Sequence, residues 1–284
     1  MVANYDVIRN WPVPVVRQRY DRRDTIIYNL GIGAGAVATL ADVDLTLVWE
    51  ERLRALPTMA AVLARERYWF DDPRTGLDWA HSVHGEQSIL WHAPIPSEGE
   101  VIAEGCVEEL YDKGEGRGAL LVTRHDLRCA ASGSELATIR QTVFFRRDGG
   151  FGGTALAPKP RRVPDTPPDI RRSLVTRPEQ ALLYRLSGDL FPLHVDPAFA
   201  RANRFDTPII HGLCTYGIAG AAVVDALCGG DGDRLRQLDA RFSSAVLPGD
   251  RLDTLIWRLG PNEASYRCLV GDRIVIDNGY ARFD

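Results

Sequence analysis

The sequence predicts an α+β protein in which one structural plan occurs twice. Each half contains a segment with helical features, followed by stretches rich in β-branched and aromatic residues that turn residues separate. A segment rich in glycine and proline divides the two halves. A helix followed by antiparallel strands lets a sheet pack around the helix, which is an α+β arrangement.

In the first half, the helical features cover residues 46–65, with an interruption at Pro57. Strands are predicted after this segment at 101–110, 118–127 and 135–145. A helix in the first half would therefore precede three antiparallel strands.

In the second half, residues 215–227 are rich in alanine, glycine and valine and predict a buried helix. Four strands are predicted after this helix, at 235–242, 251–259, 264–270 and 273–283. The second half thus follows the plan of the first.

The segment 149–175 is predicted to be a linker without helix or strand, because it contains four glycines and five prolines. It separates an N-terminal domain, 1–148, from a C-terminal domain, 176–284. The surrounding stretch 140–185 holds ten lysines and arginines against four acidic residues. These charges are either a solvated surface or, in part, a site for an anionic group such as the phosphates of a coenzyme.

Composition excludes several classes of function. The net charge of -4 argues against a nucleic-acid partner, and the longest apolar stretches are too short for a transmembrane helix, so no membrane partner is expected. Five cysteines without a Cys-x-x-Cys pair indicate reduced thiols. The N-terminus lacks the features of a secretory signal, and the C-terminus is not a Ser-Lys-Leu signal. We expect a cytoplasmic protein if the source is bacterial.

The most informative stretch runs from Tyr184 to Pro197. Gly188 and Pro192 predict an irregular loop that carries both Asp189 and His194. A carboxylate and an imidazole that share one water molecule form a general acid/base pair. The alternative is structural, because aspartate often stabilises turns through its own side chain.

A second stretch, Pro208-Ile-Ile-His211-Gly212, leads into the predicted buried helix. Backbone amides at a helix N-terminus lack intrahelical partners and carry positive partial charge. Because Gly212 has no side chain, a substrate carbonyl could approach its amide closely, as an oxyanion hole requires. The alternative is an ordinary glycine at the start of a helix.

Together these two motifs resemble the MaoC-like, (R)-specific enoyl-CoA hydratases, also called hydratase 2. The sequence is similar to the two-part hydratase 2 unit of peroxisomal multifunctional enzymes type 2. The resemblance extends over nearly the whole chain, and includes Tyr28-Asn-Leu-Gly31-Ile-Gly33, Val83-His84-Gly85-Glu86-Gln87 and the linker.

The resemblance implies a double hot-dog fold, in which two antiparallel sheets each wrap around a central helix. The N-terminal domain would accommodate the acyl chain, and the C-terminal domain would hold the catalytic loop. Asp189 and His194 would add water to an enoyl-CoA, while Gly212 would hold the thioester oxygen. The product would be a (3R)-hydroxyacyl-CoA. Further residues expected at the substrate are Phe191, His211, Gly85 and Gln87.

The resemblance also implies an acyl-CoA thioester as the partner, no cofactor beyond the CoA of the substrate, no metal, and a homodimer. Gly31-Ile-Gly33-Ala-Gly35 does not form a dinucleotide fingerprint, and we interpret it as structural. The histidines at 81, 84 and 92 show no pattern of metal ligands and are expected at the surface or in turns.

One residue departs from the family pattern. Where the hydratase 2 motif has asparagine, in Gly-Asp-x-Asn-Pro-Leu-His, this chain has Phe191. Phenylalanine lacks the hydrogen-bonding groups of the amide, so a non-catalytic or weakened acyl-CoA-binding homologue is the alternative function. A thioesterase is a third possibility on the same fold, against which the hydratase-type loop argues.

Overall fold

A computed structural model describes residues 3–35, 42–66, 69–154 and 161–284. Within these ranges ten strands form one sheet. The strands are β1 (Val16–Tyr20), β2 (Ser82–Trp91), β3 (Gly99–Asp112), β4 (Ala119–Cys129), β5 (Glu135–Phe145), β6 (Ile170–Val175), β7 (Leu235–Phe242), β8 (Arg251–Arg258), β9 (Glu263–Val270) and β10 (Arg273–Phe283).

The strand order shows that one plan is used twice. The sheet runs β1-β3-β4-β5-β2-β7-β10-β9-β8-β6, and every neighbouring pair is antiparallel. The second half repeats the order of the first in reverse, so that the equivalent strands β2 and β7 meet in the middle. The double hot-dog fold class is therefore confirmed, with the two half-sheets joined into one.

Five α-helices lie in the described ranges: α1 (Tyr5–Arg9), α2 (Arg22–Gly31), α3 (Gln180–Tyr184), α4 (Pro197–Ala202) and α5 (Gly212–Cys228). Most of α5 is buried, and its residues are apolar around the whole helix, as expected for a helix inside a core. Two of its glycines permit close approach of other elements. A Cβ on Gly217 would lie 2.6 Å from Ile32, and one on Gly220 would lie 2.5 Å from Thr58.

The predicted helix at 46–65 is wrong. This part of the chain forms only short 3-10 turns, at Leu45–Leu47, Glu50–Arg52 and Pro57–Ala61. Pro57 lacks an amide donor and disfavours helical backbone in the residue before it. The buried 3-10 turn that Pro57 begins contacts α5 instead, so the only long central helix among the described residues comes from the C-terminal half.

The strands predicted in both halves agree with the structure to within two residues at either end. β1 and β2 were not predicted, because Val16–Tyr20 is short and Ser82–Trp91 begins with polar residues and Gly85. The predicted linker also needs correction. Its last six residues form the edge strand β6, which pairs with β8, and residues 155–160 lie outside the described ranges.

The glycine cluster at the end of α2 has the structural role expected for it. Gly33 has a φ of +99°, a conformation that L side chains rarely adopt, and a Cβ there would collide with Leu174. Gly31 packs against Tyr184, and its carbonyl oxygen accepts hydrogen bonds from the Cys214 thiol and the Gln180 amide. These contacts tie the N-terminal half to the C-terminal half.

None of the five cysteines, all of which lie in the described ranges, forms a disulfide bond. No helix in the described ranges is both long and apolar enough to cross a membrane.

Close packing of α5 on the turn at Pro57–Ala61 predicts the effect of Gly220→Ala. Alanine favours a helix over glycine by about 1 kcal/mol, but the new methyl would meet the buried Cγ2 of Thr58. We expect a net loss of roughly 1–3 kcal/mol in the free energy of unfolding, measured with urea. Thr58→Ser removes that Cγ2, so the double variant should lose less than the sum of the two single variants. An additive result would contradict this packing argument.

Candidate active site

The loop between α3 and α4 has the irregular backbone that its glycine and proline predicted. A 3-10 turn ends at Gly188, whose φ is +117°, and Pro192 begins a second turn that ends at His194. Asp189 lies between the two turns and accepts a hydrogen bond from the Phe191 amide to Oδ1 (3.2 Å). The loop therefore places Asp189 and His194 on one side of the C-terminal half.

His194 is buried and held in one tautomer. Its Nδ1 lies 2.8 Å from the carbonyl oxygen of Ile209. A carbonyl only accepts hydrogen bonds, so Nδ1 carries the proton and Nε2 keeps its lone pair. Burial lowers the pKa of His194 below its usual value. The ring is therefore a neutral base at neutral pH.

His211 packs against His194 at the start of α5. The two rings are stacked with centroids 3.6 Å apart. The ring of Tyr184 also contacts His211, with a centroid distance of 5.0 Å. The Nε2 of His211 donates to the main-chain oxygen of Asp189 (3.1 Å). Its Nδ1 is buried without a hydrogen-bond partner among the described residues. Burial and the neighbouring His194 lower the pKa of His211.

These side chains form one cluster. A carboxylate oxygen of Asp189 and one ring nitrogen each from His194 and His211 all lie within 4.8 Å of one another. Two acceptors at that separation can both bind one water at hydrogen-bond distances of about 2.8 Å. Atoms of these types are also capable of ligating a metal ion. The predicted acid/base residues are thus close enough to share one water molecule.

Gly212 is the first residue of α5, and His211 is the capping residue before it. The amide of a first helical residue has no carbonyl partner in its own helix, and the helix dipole favours negative charge there. A Cβ on Gly212 would lie 3.5 Å from the ring of Phe242, which is an ordinary contact. The absence of a side chain is therefore not required by packing against Phe242.

The N-terminal half contributes two residues to this cluster. The sequence analysis did not single out Arg65, and it included His84 only as part of the stretch 83–87. Arg65 follows the turn at Pro57–Ala61, and its Nη1 lies 3.6 Å from Oδ2 of Asp189. Burial would raise the pKa of Asp189, but Arg65, His211 and His194 outweigh it, so the pKa is lowered. Asp189 is therefore ionised at neutral pH.

The expectation of a surface or turn position is confirmed for His81 and His92, which are exposed, whereas His84 is half-buried in a strand. It lies in β2, where its Nε2 donates to the Glu86 carbonyl (3.1 Å) and its ring meets Phe242 edge-on at 4.9 Å. Desolvation of the ring, reinforced by the charge of Arg65, lowers the pKa of His84 to about 3. An isolated histidine carries no sequence signal for this location. A strand prediction over 82–91 would have moved His84 out of a turn.

The other predicted substrate residues are Gly85, Gln87 and Phe191. Gly85 forms a bulge in β2, where the register with β5 shifts, and a Cβ there would lie 3.3 Å from the Thr142 carbonyl. Gln87 is buried at the pairing of β2 with β7. Phe191 is half-buried, and its ring lies 6.4 Å from that of His194 and 5.4 Å from that of Phe199. Their contacts with substrate stay predictions.

Several arginines of the stretch 140–185 have carboxylate partners. Arg140 pairs with Glu108 (2.8 Å), Arg171 with Asp253 (2.5 Å), and Arg172 with Asp225 (2.5 Å). For these three the interpretation as a charged surface fits better than the interpretation as a phosphate site.

The fold and the cluster together define a double hot-dog protein with an Asp/His pair beside the N-terminus of a buried helix. The chain belongs to the MaoC-like dehydratase family. The family model described as MaoC like domain matches residues 159–275, and the one described as MFE-2 hydratase 2 N-terminal domain matches residues 18–147.

Individual relatives cover almost the full chain. The 3-hydroxyacyl-thioester dehydratase Y of Mycobacterium tuberculosis is 39% identical over 271 residues, which is 92% of each chain. The peroxisomal enoyl-CoA hydratase 2 of Arabidopsis thaliana is 36% identical over 90% of this chain and 88% of its own. The crystal structure of a MaoC-like dehydratase from Phytophthora capsici has a TM-score of 0.86, 31% identity and 98% coverage of both chains.

Proposed function

We propose that this protein hydrates trans-2-enoyl-CoA to (3R)-hydroxyacyl-CoA and catalyses the reverse dehydration. The observation that carries this proposal is the cluster of Asp189, His194 and His211 within 4.8 Å, next to the N-terminus of α5. Relatives named enoyl-CoA hydratase 2 and 3-hydroxyacyl-thioester dehydratase support the same reaction class.

The protonation states of the pair determine the path of the proton. Asp189 is ionised and Nε2 of His194 is unprotonated, so the pair begins the hydration without a proton to give. One of the two groups takes a proton from the bound water as its oxygen bonds to the β-carbon. That proton then passes to the α-carbon, directly or through the other group of the pair. Water is consumed, and the enzyme returns to its starting state.

The N-terminus of α5 stabilises the charge that develops in this reaction. Attack at the β-carbon moves an electron pair onto the thioester oxygen, which becomes an enolate. The Gly212 amide and the positive end of the helix dipole favour that negative oxygen. The enolate then collapses as its α-carbon receives the proton.

The alternative of a non-catalytic acyl-CoA-binding protein is less well supported. It depends on Phe191, yet the Phe191 main-chain amide donates to Asp189, and Asp189 lies close to His194. The named relatives also favour turnover over binding alone.

A direct assay tests the proposal. We would follow loss of the conjugated thioester absorbance with short and long trans-2-enoyl-CoA, and determine the configuration of the product by chiral chromatography. Formation of (3R)-hydroxyacyl-CoA supports the proposal. Release of free CoA would indicate a thioesterase, and binding without turnover would indicate an acyl-CoA-binding protein.

We further propose a cytoplasmic homodimer that needs no metal or other cofactor. Addition of water to a conjugated thioester requires only proton transfer and stabilisation of the oxyanion, which residues of this chain supply. Activity should therefore survive dialysis against a chelator. For the proposed homodimer, light scattering should give twice the mass of the chain. Loss of activity that zinc restores, or the mass of one chain, would contradict the respective proposal.

The role of Asp189 predicts the effect of Asp189→Asn. Asparagine has the same shape but cannot take the proton, so kcat should fall by roughly 10²–10⁴. The matched control is Asp196→Asn in the same loop, an exposed residue whose side chain caps α4 through the Ala198 amide. Stopped assays on purified protein of verified thermal stability would measure both. Equal kcat values for the two variants would contradict the role of Asp189.

The role of Gly212 predicts the effect of Gly212→Ala. The added methyl fits against Phe242, and alanine favours helices, so thermal stability should stay the same or rise. The methyl would hold the thioester oxygen away from the amide, so kcat/KM should fall roughly 10-fold or more. Steady-state kinetics and thermal unfolding of the same preparation measure both effects. A variant with unchanged kcat/KM would contradict the placement of the thioester oxygen at this amide.

A further inference from the structure

Arg65 brings a positive charge from the N-terminal half to Asp189. Its Nη1 lies 3.6 Å from Oδ2 of Asp189, and only 20% of the Arg65 side chain and 17% of the Asp189 side chain are exposed. Charges shielded from solvent to this extent interact more strongly than a surface pair. The pair therefore affects the properties of Asp189 more than an exposed ion pair would.

The backbone is fixed on both sides of Arg65. The preceding residue, Ala64, is buried and has a φ of +47°, and its amide donates to the side-chain oxygen of Gln18 (2.5 Å). A left-handed conformation in a residue other than glycine is strained, and such strain is concentrated at functional sites. The following residue, Glu66, pairs with the buried His125 (2.9 Å). These contacts restrict where the guanidinium of Arg65 can lie.

Arg65 also faces the side of Asp189 that the rest of its loop leaves open. Oδ1 accepts the Phe191 amide, whereas Oδ2 faces Arg65. The Phe191 side chain is a hydrocarbon ring and cannot polarise or orient the carboxylate. The side-chain contact to Oδ2 comes from Arg65, in the other half of the protein.

We propose that Arg65 is a positioning residue for the hydration reaction. Its guanidinium orients the Asp189 carboxylate through Oδ2, and so does the work of the polar side chain that Phe191 does not provide. This inference rests on the proposed function.

The charges around Asp189 give the sign of the expected pH effect. Burial raises its pKa, and Arg65 is the largest influence that lowers it. The titratable groups that face Asp189 come from five segments of the chain: Arg65, His84, Tyr184, His194 and His211. Since Arg65 is the cation among them at neutral pH, its removal must raise the pKa of Asp189.

Arg65→Met is the first test, with trans-2-enoyl-CoA as substrate. We expect kcat at pH 7 to fall roughly 10- to 100-fold with little change in KM, because the group acts through Asp189. The acid limb of the kcat/KM profile should move to higher pH. Arg65→Lys should keep the limb near its original position but recover only part of kcat, because an ammonium lacks the planar fork of arginine.

The matched control for charge removal is Arg267→Met. Arg267 is another partly buried arginine paired with a carboxylate, that of Asp277 (2.8 Å), and it lies in β9, outside the cluster. This variant should retain the kcat and the pH profile of the natural chain. If Arg267→Met lowers kcat and shifts the acid limb as much as Arg65→Met does, both effects are general results of removing a cation, and the inference is overturned.

Phe191→Asn gives a second test through a double-mutant cycle. If Arg65 does the work of a polar side chain at position 191, asparagine there should raise kcat more in the Arg65→Met variant than in the natural chain. Equal effects in the two backgrounds would overturn this part of the inference. Thermal unfolding of the natural chain, the two single variants and the double variant distinguishes a loss of folding from a loss of positioning.

A readout independent of turnover is the titration of isotope-labelled histidines by NMR. The charge of Arg65 lowers the pKa of His84 and His211, so both should titrate at higher pH in Arg65→Met. Unchanged histidine titrations would overturn the inference. If Arg65→Met leaves turnover unchanged, the inference about Arg65 is overturned while the proposed function stands. If the natural chain shows no turnover, both the inference and the proposed function are overturned.

Discussion

The antiparallel pairing of β2 with β7 is the interaction on which the rest of the site depends. It runs from Glu86 opposite Arg241 to Leu90 opposite Gln237, and the Ser88 hydroxyl donates to the Asp239 carboxylate across it (2.6 Å). This pairing turns two half-sheets into one and brings the chain at 84 next to the chain at 242. It also places β2, which carries His84, beside the C-terminal half that holds Asp189 and His194.

A second constraint is the balance of charge in the cluster. Two stacked imidazoles with centroids 3.6 Å apart would repel each other strongly if both were protonated. Burial keeps them neutral, and Arg65 compensates the negative charge of Asp189. The resting site thus holds proton acceptors without excess charge, which suits a reaction in which substrate and product differ by a neutral water.

Much of the fold was predictable because its signals are local. Alternating apolar residues and turn residues located the strands from β3 to β5 and from β7 to β10, and small apolar residues located α5. The helix predicted at 46–65 failed because the apolar residues of that segment pack against α5 from 3-10 turns that Pro57 begins. Local pattern does not distinguish these two ways of burying the same side chains.

The C-terminal part of the site was predictable for a similar reason. Asp189, His194 and Gly212 lie in two short motifs, and the structure brings Asp189 and His194 together with His211, the residue before Gly212. Arg65 carried no comparable signal. Its relation to Asp189 arises from tertiary structure across two halves, and an isolated arginine in a sequence with many arginines does not indicate a partner.

The reversed repetition of one strand order has a consequence for how this chain can change over time. In an assembly of two identical hot-dog chains, every substitution would occur in both copies. In a single chain the two halves vary independently, so Phe191 stands in one half and Arg65 in the other without a second copy of either pairing. Recombination that exchanged one half for that of a relative would separate Phe191 from Arg65, and would replace the Arg65–Asp189 contact by whatever the relative carries at these positions.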